Sequence, residues 1–452
     1  MVKKNATITI EIENVTAKGF GTAKVEDFVL FTEGGLPGDK LQVKVVKVKK
    51  TYGYGKILRI LTPSPHRIQS PCPVSDKCGG CQWQHCDYQA QLGFKKQIVT
   101  DALTRIGGLA DPPVKDVIGM ETPQPYRNKA VFPVVPVEGG FAIGMYAPRS
   151  HRIIPVENCA IQHPAHVPVI KVVSDFMRRH KIEAYDEITH TGTMRHIIVR
   201  TSNATGEIMV VLVTNADNLP KENKLAAALT DMGATTVLIN PHKAKSNAVM
   251  GHNFRILSGE GFIREQIGQV WYRLSAPSFF QINPVQTAVL YDITVSMANL
   301  TGSEAVMDAH VGVGGMALAA AGRAKHVTGV DIVQEAISDA KKNAELNGIT
   351  NASFICGAAE EVIPQMLQGG QSPPDVIFLD PPRKGCDAAL LDALVAAEIR
   401  TIVYVSCDPA TMARDIKLLA HGGYSLAGVQ PVDMFPMTGK VETTALLCRN
   451  DT

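Results

Sequence analysis

The chain has 452 residues, 45% of them hydrophobic and 19% charged, with a formal net charge of +2. That length exceeds what one hydrophobic core serves, so two or three domains are predicted, and the composition excludes a disordered chain. So small a net charge does not announce a nucleic-acid partner, and no run of 18 or more apolar residues is present to span a membrane.

Met1-Val2-Lys3-Lys4-Asn5 leads into alternating residues rather than an apolar signal segment, which predicts a cytoplasmic protein with no membrane partner. Residues 6–60 alternate apolar and polar in short runs, among them Ala6 to Ile12 and Leu41 to Val48, punctuated by Gly19, Gly21, Gly34, Gly35 and Gly38. A small β-barrel follows from that pattern, closed by the break Thr62-Pro63-Ser64-Pro65. Lys40, Lys44, Lys47, Lys49, Lys50 and Lys56 crowd this stretch. They make either a solubilising strand edge or an RNA-contacting face. From Ala6 to Ile60 the segment resembles the TRAM domain, an OB-like RNA-binding barrel found on RNA-modifying enzymes, which implies residues 1–61 as the first domain.

Nine cysteines, an odd number, include Cys72, Cys78, Cys81 and Cys86 in one short stretch. They fit a metal site in a reducing compartment better than a disulfide framework. Cys78-Gly79-Gly80-Cys81 places two thiols two residues apart with glycines between them, so that one turn can present both to one metal centre. Zinc and an iron-sulfur cluster both require a fourth donor, either the nearby Cys86 or the remote Cys159. Between 120 and 265 the basic pieces Tyr126-Arg127-Asn128-Lys129 and Thr193-Met194-Arg195-His196 suit phosphate contact, with plain surface charge as the alternative.

The C-terminal part reads as strand, glycine loop, helix: Ala305-Val306-Met307-Asp308, then Gly312-Val313-Gly314-Gly315, then Met316 to Ala321. Glycines there let backbone approach a ligand, and the helix start offers free amides. A second strand, His326 to Val330, ends in Asp331, placed to accept from ribose hydroxyls. A helix over Ile332 to Leu346 stops at Asn347-Gly348, and strands follow at Asp375 to Leu379 and Thr401 to Val405. The predicted fold class is α/β, a doubly wound parallel sheet. Gly312-x-Gly314-x-x-Ala317 also meets the loose dinucleotide fingerprint, so a nicotinamide oxidoreductase competes. Asp380-Pro381-Pro382-Arg383-Lys384-Gly385 and Val405-Ser406-Cys407-Asp408-Pro409 fall at carboxyl ends of strands, where such sheets bind ligands. Hydride transfer has no use for that cysteine, and an amine methyltransferase would carry an aromatic where Arg383 stands. Carbon methylation remains.

A weakly nucleophilic ring carbon can take a methyl once a thiolate has added to the carbon beside it, and a base must then remove the proton from the methylated carbon so that the thiol can leave. Cys407 is the candidate thiol, with Pro409 starting a helix whose amides would favour the thiolate. Cys386, placed on the next helix, is its rival. Glu442, opening the last strand, is the candidate base.

Cys407-Asp408-Pro409-Ala410-Thr411 with Ala413-Arg414-Asp415, Asp433-Met434-Phe435-Pro436, Val441-Glu442-Thr443 and Phe279-Phe280-Gln281-Ile282-Asn283 resemble the motifs of the bacterial uracil-C5 RNA methyltransferases. The resemblance spans essentially the whole chain. It implies a Rossmann-like class I methyltransferase domain at 265–452 behind a middle α+β domain at 62–264. It also implies S-adenosyl-L-methionine as cofactor, held by Gln281, His310, Gly315, Asp331, Ala358 and Asp380, with Cys407 as nucleophile and Glu442 as base. Cys72, Cys78 and Cys81 together with Cys159 resemble that family's 4Fe-4S site, which makes Cys159 the fourth ligand and Cys86 an ordinary thiol. Arg127 then ranks above Arg195 as an RNA contact. The implied substrate is a uridine of 23S ribosomal RNA, with transfer RNA or a non-catalytic RNA-binding role as alternatives, and no stable protein partner is implied. His310-Val311, Gly315 and Ala358 depart from the family's usual aromatic-Cys, small polar or Thr, and Asp or Asn. Loss of those contacts predicts weaker cofactor affinity; a Kd as tight as in relatives bearing the usual residues would count against it.

Overall fold

A computed structural model describes residues 2–369 and 372–450. The N-terminal strands form one six-stranded sheet, ordered Thr7–Glu11, Lys40–Val48, Tyr52–Thr62, Phe28–Glu33, Phe20–Val25, Asn14–Val15. Burial alternates along residues 40–45: Leu41, Val43 and Val45 are buried with Leu30 and Ile10, while Lys40 and Lys44 stay exposed. The proline break then releases the chain into the cysteine segment and the helix Tyr88–Arg105.

A second, seven-stranded sheet is ordered Arg255–Ser258, Thr236–Pro241, Ile208–Thr214, Met194–Thr201, Lys129–Val137, Gly140–Tyr146, Ile153–Pro155. The helices His166–His180 and Glu222–Asp231 seat Val173, Met177, Leu225 and Leu229 on one of its faces. The other face contributes Ile198, Met209 and Val211 to a core shared with the C-terminal domain. The hairpin Phe262–Ile267 with Val270–Ser275 lies across position 264 and docks on the C-terminal helix Gln334–Leu346, where Asn343 and Asn347 accept from the backbone of Arg273 and Trp271. Val99 and Leu103 of the helix Tyr88–Arg105 likewise join the C-terminal core.

The C-terminal sheet has the order Ala352–Cys356, His326–Asp331, Ala305–Asp308, Val376–Leu379, Thr401–Ser406, Glu442–Arg449, Tyr424–Val432. The first five strands are parallel, and Glu442–Arg449 runs antiparallel to both of its neighbours. This is the predicted doubly wound α/β fold, and among the described residues no helix is long and apolar enough to cross a membrane. Carboxyl ends of the parallel strands gather Asp308, Asp331, Asp380 and Cys407 on one rim, as the topological rule for open α/β sheets requires.

Candidate active site

Register places the nucleophile beside the base. Ser406 pairs with Thr443 across the antiparallel ladder, so Cys407 and Glu442, one step further along, face each other at the rim. Glu442 is buried, although it opens its strand, and its Oε2 has no hydrogen-bond partner. Burial and the neighbouring Asp380 carboxylate push its pKa well above the ordinary range, with Lys440 and Arg383 pulling it back. Burial also pushes Asp380 up to about 7 and Asp308 up to about 7, the latter helped by the charges of Asp380 and Asp331.

The Cys407 thiol does not gain the expected help from the helix Pro409–His421. Asp408 caps that helix and its carboxylate takes the amides of Ala410 and Thr411, so those donors are spent before reaching the sulfur. Burial pushes Cys407 up to about 11; Glu442 and Asp380 act in the same direction, and Arg383 and Lys440 oppose. Cys386 is not on a helix. It sits in the loop just before the cap Asp387, its amide donates to Asp415, and burial pushes its thiol up to about 12. A thiol folded into the core beside Tyr404 is not a nucleophile at the rim.

Of the predicted cofactor residues, His310, Gly315, Asp331, Ala358 and Asp380 lie at or just past the carboxyl ends of the parallel strands. Asp331 holds the glycine loop by accepting from Gly312 N at 2.9 Å, and its other oxygen accepts from Val333 N. His310 is largely buried with Nδ1 unpartnered, and Asp308, which the sequence reading left out of the site, has Oδ2 unpartnered. Two buried polar atoms without partners beside a glycine loop are the mark of a ligand cradle. Its signal was available, a carboxylate ending the strand before that loop. Gly315 has its own explanation: a Cβ there would stand 2.3 Å from the Tyr291 hydroxyl, so the tyrosine occupies the volume a Thr would use. Ala358 precedes the helix Ala359–Gln368 and gives it no side-chain cap, which an Asp or Asn would have supplied. Gln281 is buried, and Phe279, two residues earlier, is 71% exposed.

The motif Asp433 to Pro436 turns out to be an anchor. Asp433 is fully buried; Lys95 Nζ donates to its Oδ1 and Tyr88 Oη to its Oδ2 at 2.9 Å. Asn283 Nδ2 donates to Met434 O, the Tyr126 hydroxyl to Pro436 O, and Gln91 Oε1 accepts from Met437 N. The segment leading to Glu442 is thus tied down by residues 88–126 and by the Gln281-Ile282-Asn283 turn.

Cys72, Cys78, Cys81 and Cys159 line one cavity with Arg127. Burial pushes Cys81 up to about 12, with Cys159, Cys78 and Cys72 adding repulsion. Cys86 is elsewhere, packed with Trp83, Val15 and Leu36. Among the described residues no group of three or more His, Cys, Asp or Glu side chains is drawn together closely enough to hold a metal ion. Arg127 is half-buried with Nε unpartnered. Arg195 is no RNA contact: it is buried, donates to the carbonyls of His242 and Ala244, and stacks on Tyr185 at 4.2 Å.

The family described as tRNA (Uracil-5-)-methyltransferase matches residues 223–450, and the TRAM domain matches residues 2–58. A protein named as an uncharacterized RNA methyltransferase of Halalkalibacterium halodurans is 47% identical over 448 residues, covering 99% of this chain and 98% of that protein. One of the same description from Bacillus cereus is 44% identical over 452 residues, covering 99% and 98%. The crystal structure of Pyrococcus abyssi tRNA (uracil-54, C5)-methyltransferase with S-adenosyl-L-homocysteine superposes with a TM-score of 0.78 at 26% identity, covering 97% of this chain and 100% of that one.

Proposed function

The chain belongs to the uracil-5-methyltransferase family of RNA-modifying enzymes with an N-terminal TRAM domain, and on that footing we propose that it methylates C5 of a 23S ribosomal RNA uridine through Cys407 and Glu442. The observation that carries the assignment of roles is the register that sets Cys407 opposite a buried, unpartnered Glu442 with Asp380 beside both. S-adenosyl-L-methionine supplies an electrophilic methyl on a sulfonium; Gln281, His310, Gly315, Asp331, Ala358 and Asp380 are the residues proposed to hold it. Cys407 adds as thiolate to C6, which makes C5 an enolate carbon able to take the methyl. Glu442 then removes the C5 proton, and the electrons of that C–H bond expel the thiolate, restoring the C5–C6 double bond. Arg383 and Lys440, the cations acting on Cys407, favour its thiolate.

The four cysteines suit a 4Fe-4S cluster, because they are the thiols of one cavity and a cluster is bound by four thiolates spaced around a body larger than an ion. The cluster would tie the cysteine segment to Cys159. Iron and sulfide analysis of protein purified without air tests it, and iron retained after Cys159→Ser would remove Cys159 from the ligand set.

Transfer RNA is the second substrate reading, supported by the likeness to the archaeal tRNA enzyme. Wild type and Cys407→Ala are incubated with labelled S-adenosyl-L-methionine and unmodified ribosomal or transfer RNA, and the product is digested to nucleosides. Label in 5-methyluridine from ribosomal RNA, absent with Cys407→Ala, is the expected result; label only from tRNA moves the substrate, and none from either sinks the reading.

Charge makes a further prediction. Near neutrality Asp380, at about 7, is partly protonated and Cys407, at about 11, holds its proton, while the Glu442 pKa is raised by burial and by Asp380; a cation beside these groups favours their ionised forms. Binding of S-adenosyl-L-methionine therefore releases protons, and its affinity tightens as pH rises through 7, where Asp380 loses its proton. Calorimetry in two buffers of different ionisation heat reads the release. S-adenosyl-L-homocysteine, which lacks the sulfonium charge, should release fewer protons, and equal release would refute the coupling.

A further inference from the structure

We propose that the outer face of the N-terminal barrel is a stacking platform for unpaired bases of the RNA strand, built on Phe31, Tyr52 and Tyr54. This rests on the RNA-substrate reading but engages none of the residues given to catalysis or cofactor binding. Inside the barrel, Ile10, Leu30, Leu41, Val43 and Val45 already fill the core. Gly55 fixes the facing of its strand: a Cβ there would lie 3.1 Å from Leu30 and 3.3 Å from Val43, so the residues alternating with it point outward. Those are Tyr52, Tyr54 and Lys56.

Strand register builds the surface from them. Thr22, Phe31, Tyr54 and Lys47 form one row across four strands; Lys24, Val29 and Tyr52 form the adjoining row across three; and Lys56 pairs with Lys44 on the other side of Tyr54. Phe31 lies with its ring centroid 5.6 Å from Tyr54 and 5.8 Å from Tyr52. Tyr52 is 37% exposed, and Lys24, Lys44, Lys47 and Lys56 are exposed around the rings.

Ring-to-ring contacts alone would stiffen the sheet. They do not account for exposed lysines on three sides of the rings. Rings for base faces and ammonium groups for phosphates are the combination that holds a single strand without reading its sequence, and an A-form duplex, whose bases are stacked on each other, cannot use the rings.

The test uses the full chain and a labelled 12-nucleotide oligouridine, with affinity read by fluorescence anisotropy and folding by thermal unfolding. Tyr52→Leu with Tyr54→Leu is expected to weaken binding on the order of 10- to 100-fold and to raise KM for substrate RNA alike, whereas Tyr54→Phe should stay near wild type. Lys44→Ala with Lys47→Ala should lower the slope of log affinity against log salt by about 1.4, from roughly 0.7 per phosphate contact. A leucine variant that folds and binds the oligomer as wild type does overturns the platform, as does equal, ring-independent binding of duplex RNA. Ring-dependent binding without 5-methyluridine from any RNA would refute the methylation reading and leave the platform standing. Normal methylation with unchanged KM in the leucine variant would do the reverse.

Discussion

Glu442→Gln is expected to leave the protein covalently joined to its RNA. The substitution keeps the shape of the side chain and removes only its capacity to take a proton. Cys407 can still add to C6 and C5 can still accept the methyl, but the C5 proton then has no acceptor and the thiolate cannot be expelled. In the presence of S-adenosyl-L-methionine an RNA–protein species should survive a denaturing gel, while free 5-methyluridine in released RNA falls by roughly 10²- to 10⁴-fold, the usual worth of a positioned base. Cys407→Ala with Glu442→Gln should form no such species. Normal turnover by Glu442→Gln would move the base elsewhere, with Asp380, the carboxylate acting on both Cys407 and Glu442, as the first alternative.

Lys95→Met carries the largest expected cost in stability. Lys95 and Asp433 are both fully buried, and removing the ammonium leaves a carboxylate in the core with Tyr88, among the described residues, as its remaining side-chain donor. Breaking a buried pair from one side costs about 3–5 kcal/mol, whereas replacing both charges is nearly neutral. Thermal unfolding should fall on the order of 10 °C in the single variant and recover most of that in Lys95→Met with Asp433→Asn. A single variant as stable as wild type would show that water reaches the site. Activity should follow stability here, because Asp433 anchors the segment that ends in Glu442.

Much of this was legible in sequence because it is local. Period-two alternation gave the barrel strands, and the order strand, glycine loop, helix gave the sheet whose rim collects Asp308, Asp331 and Cys407. The burial of Glu442 was not legible, since its surroundings come from Asp380 and from the antiparallel partner Thr401–Ser406. Nor could the sequence show that Asp408 consumes the amides expected to help Cys407, or that Arg195 turns inward to carbonyls some fifty residues away. Lys95 reads as an ordinary helix-surface lysine until Asp433, 338 residues later, arrives against it. In each case the missing information was a long-range partner, which residue type and spacing do not carry.

The place of Glu442–Arg449 between Thr401–Ser406 and Tyr424–Val432 has a bearing on how the enzyme comes into being. A ribosome makes both neighbours first, so the growing chain holds its nucleophile for some time without its base. Because the late strand lies in the middle, those two earlier strands share no ladder with each other, and each is hydrogen-bonded to the late strand instead. The apposition of thiol and carboxylate therefore depends on that last strand: a chain stopped short of residue 442 would keep its nucleophile and lack the base that lets the RNA go.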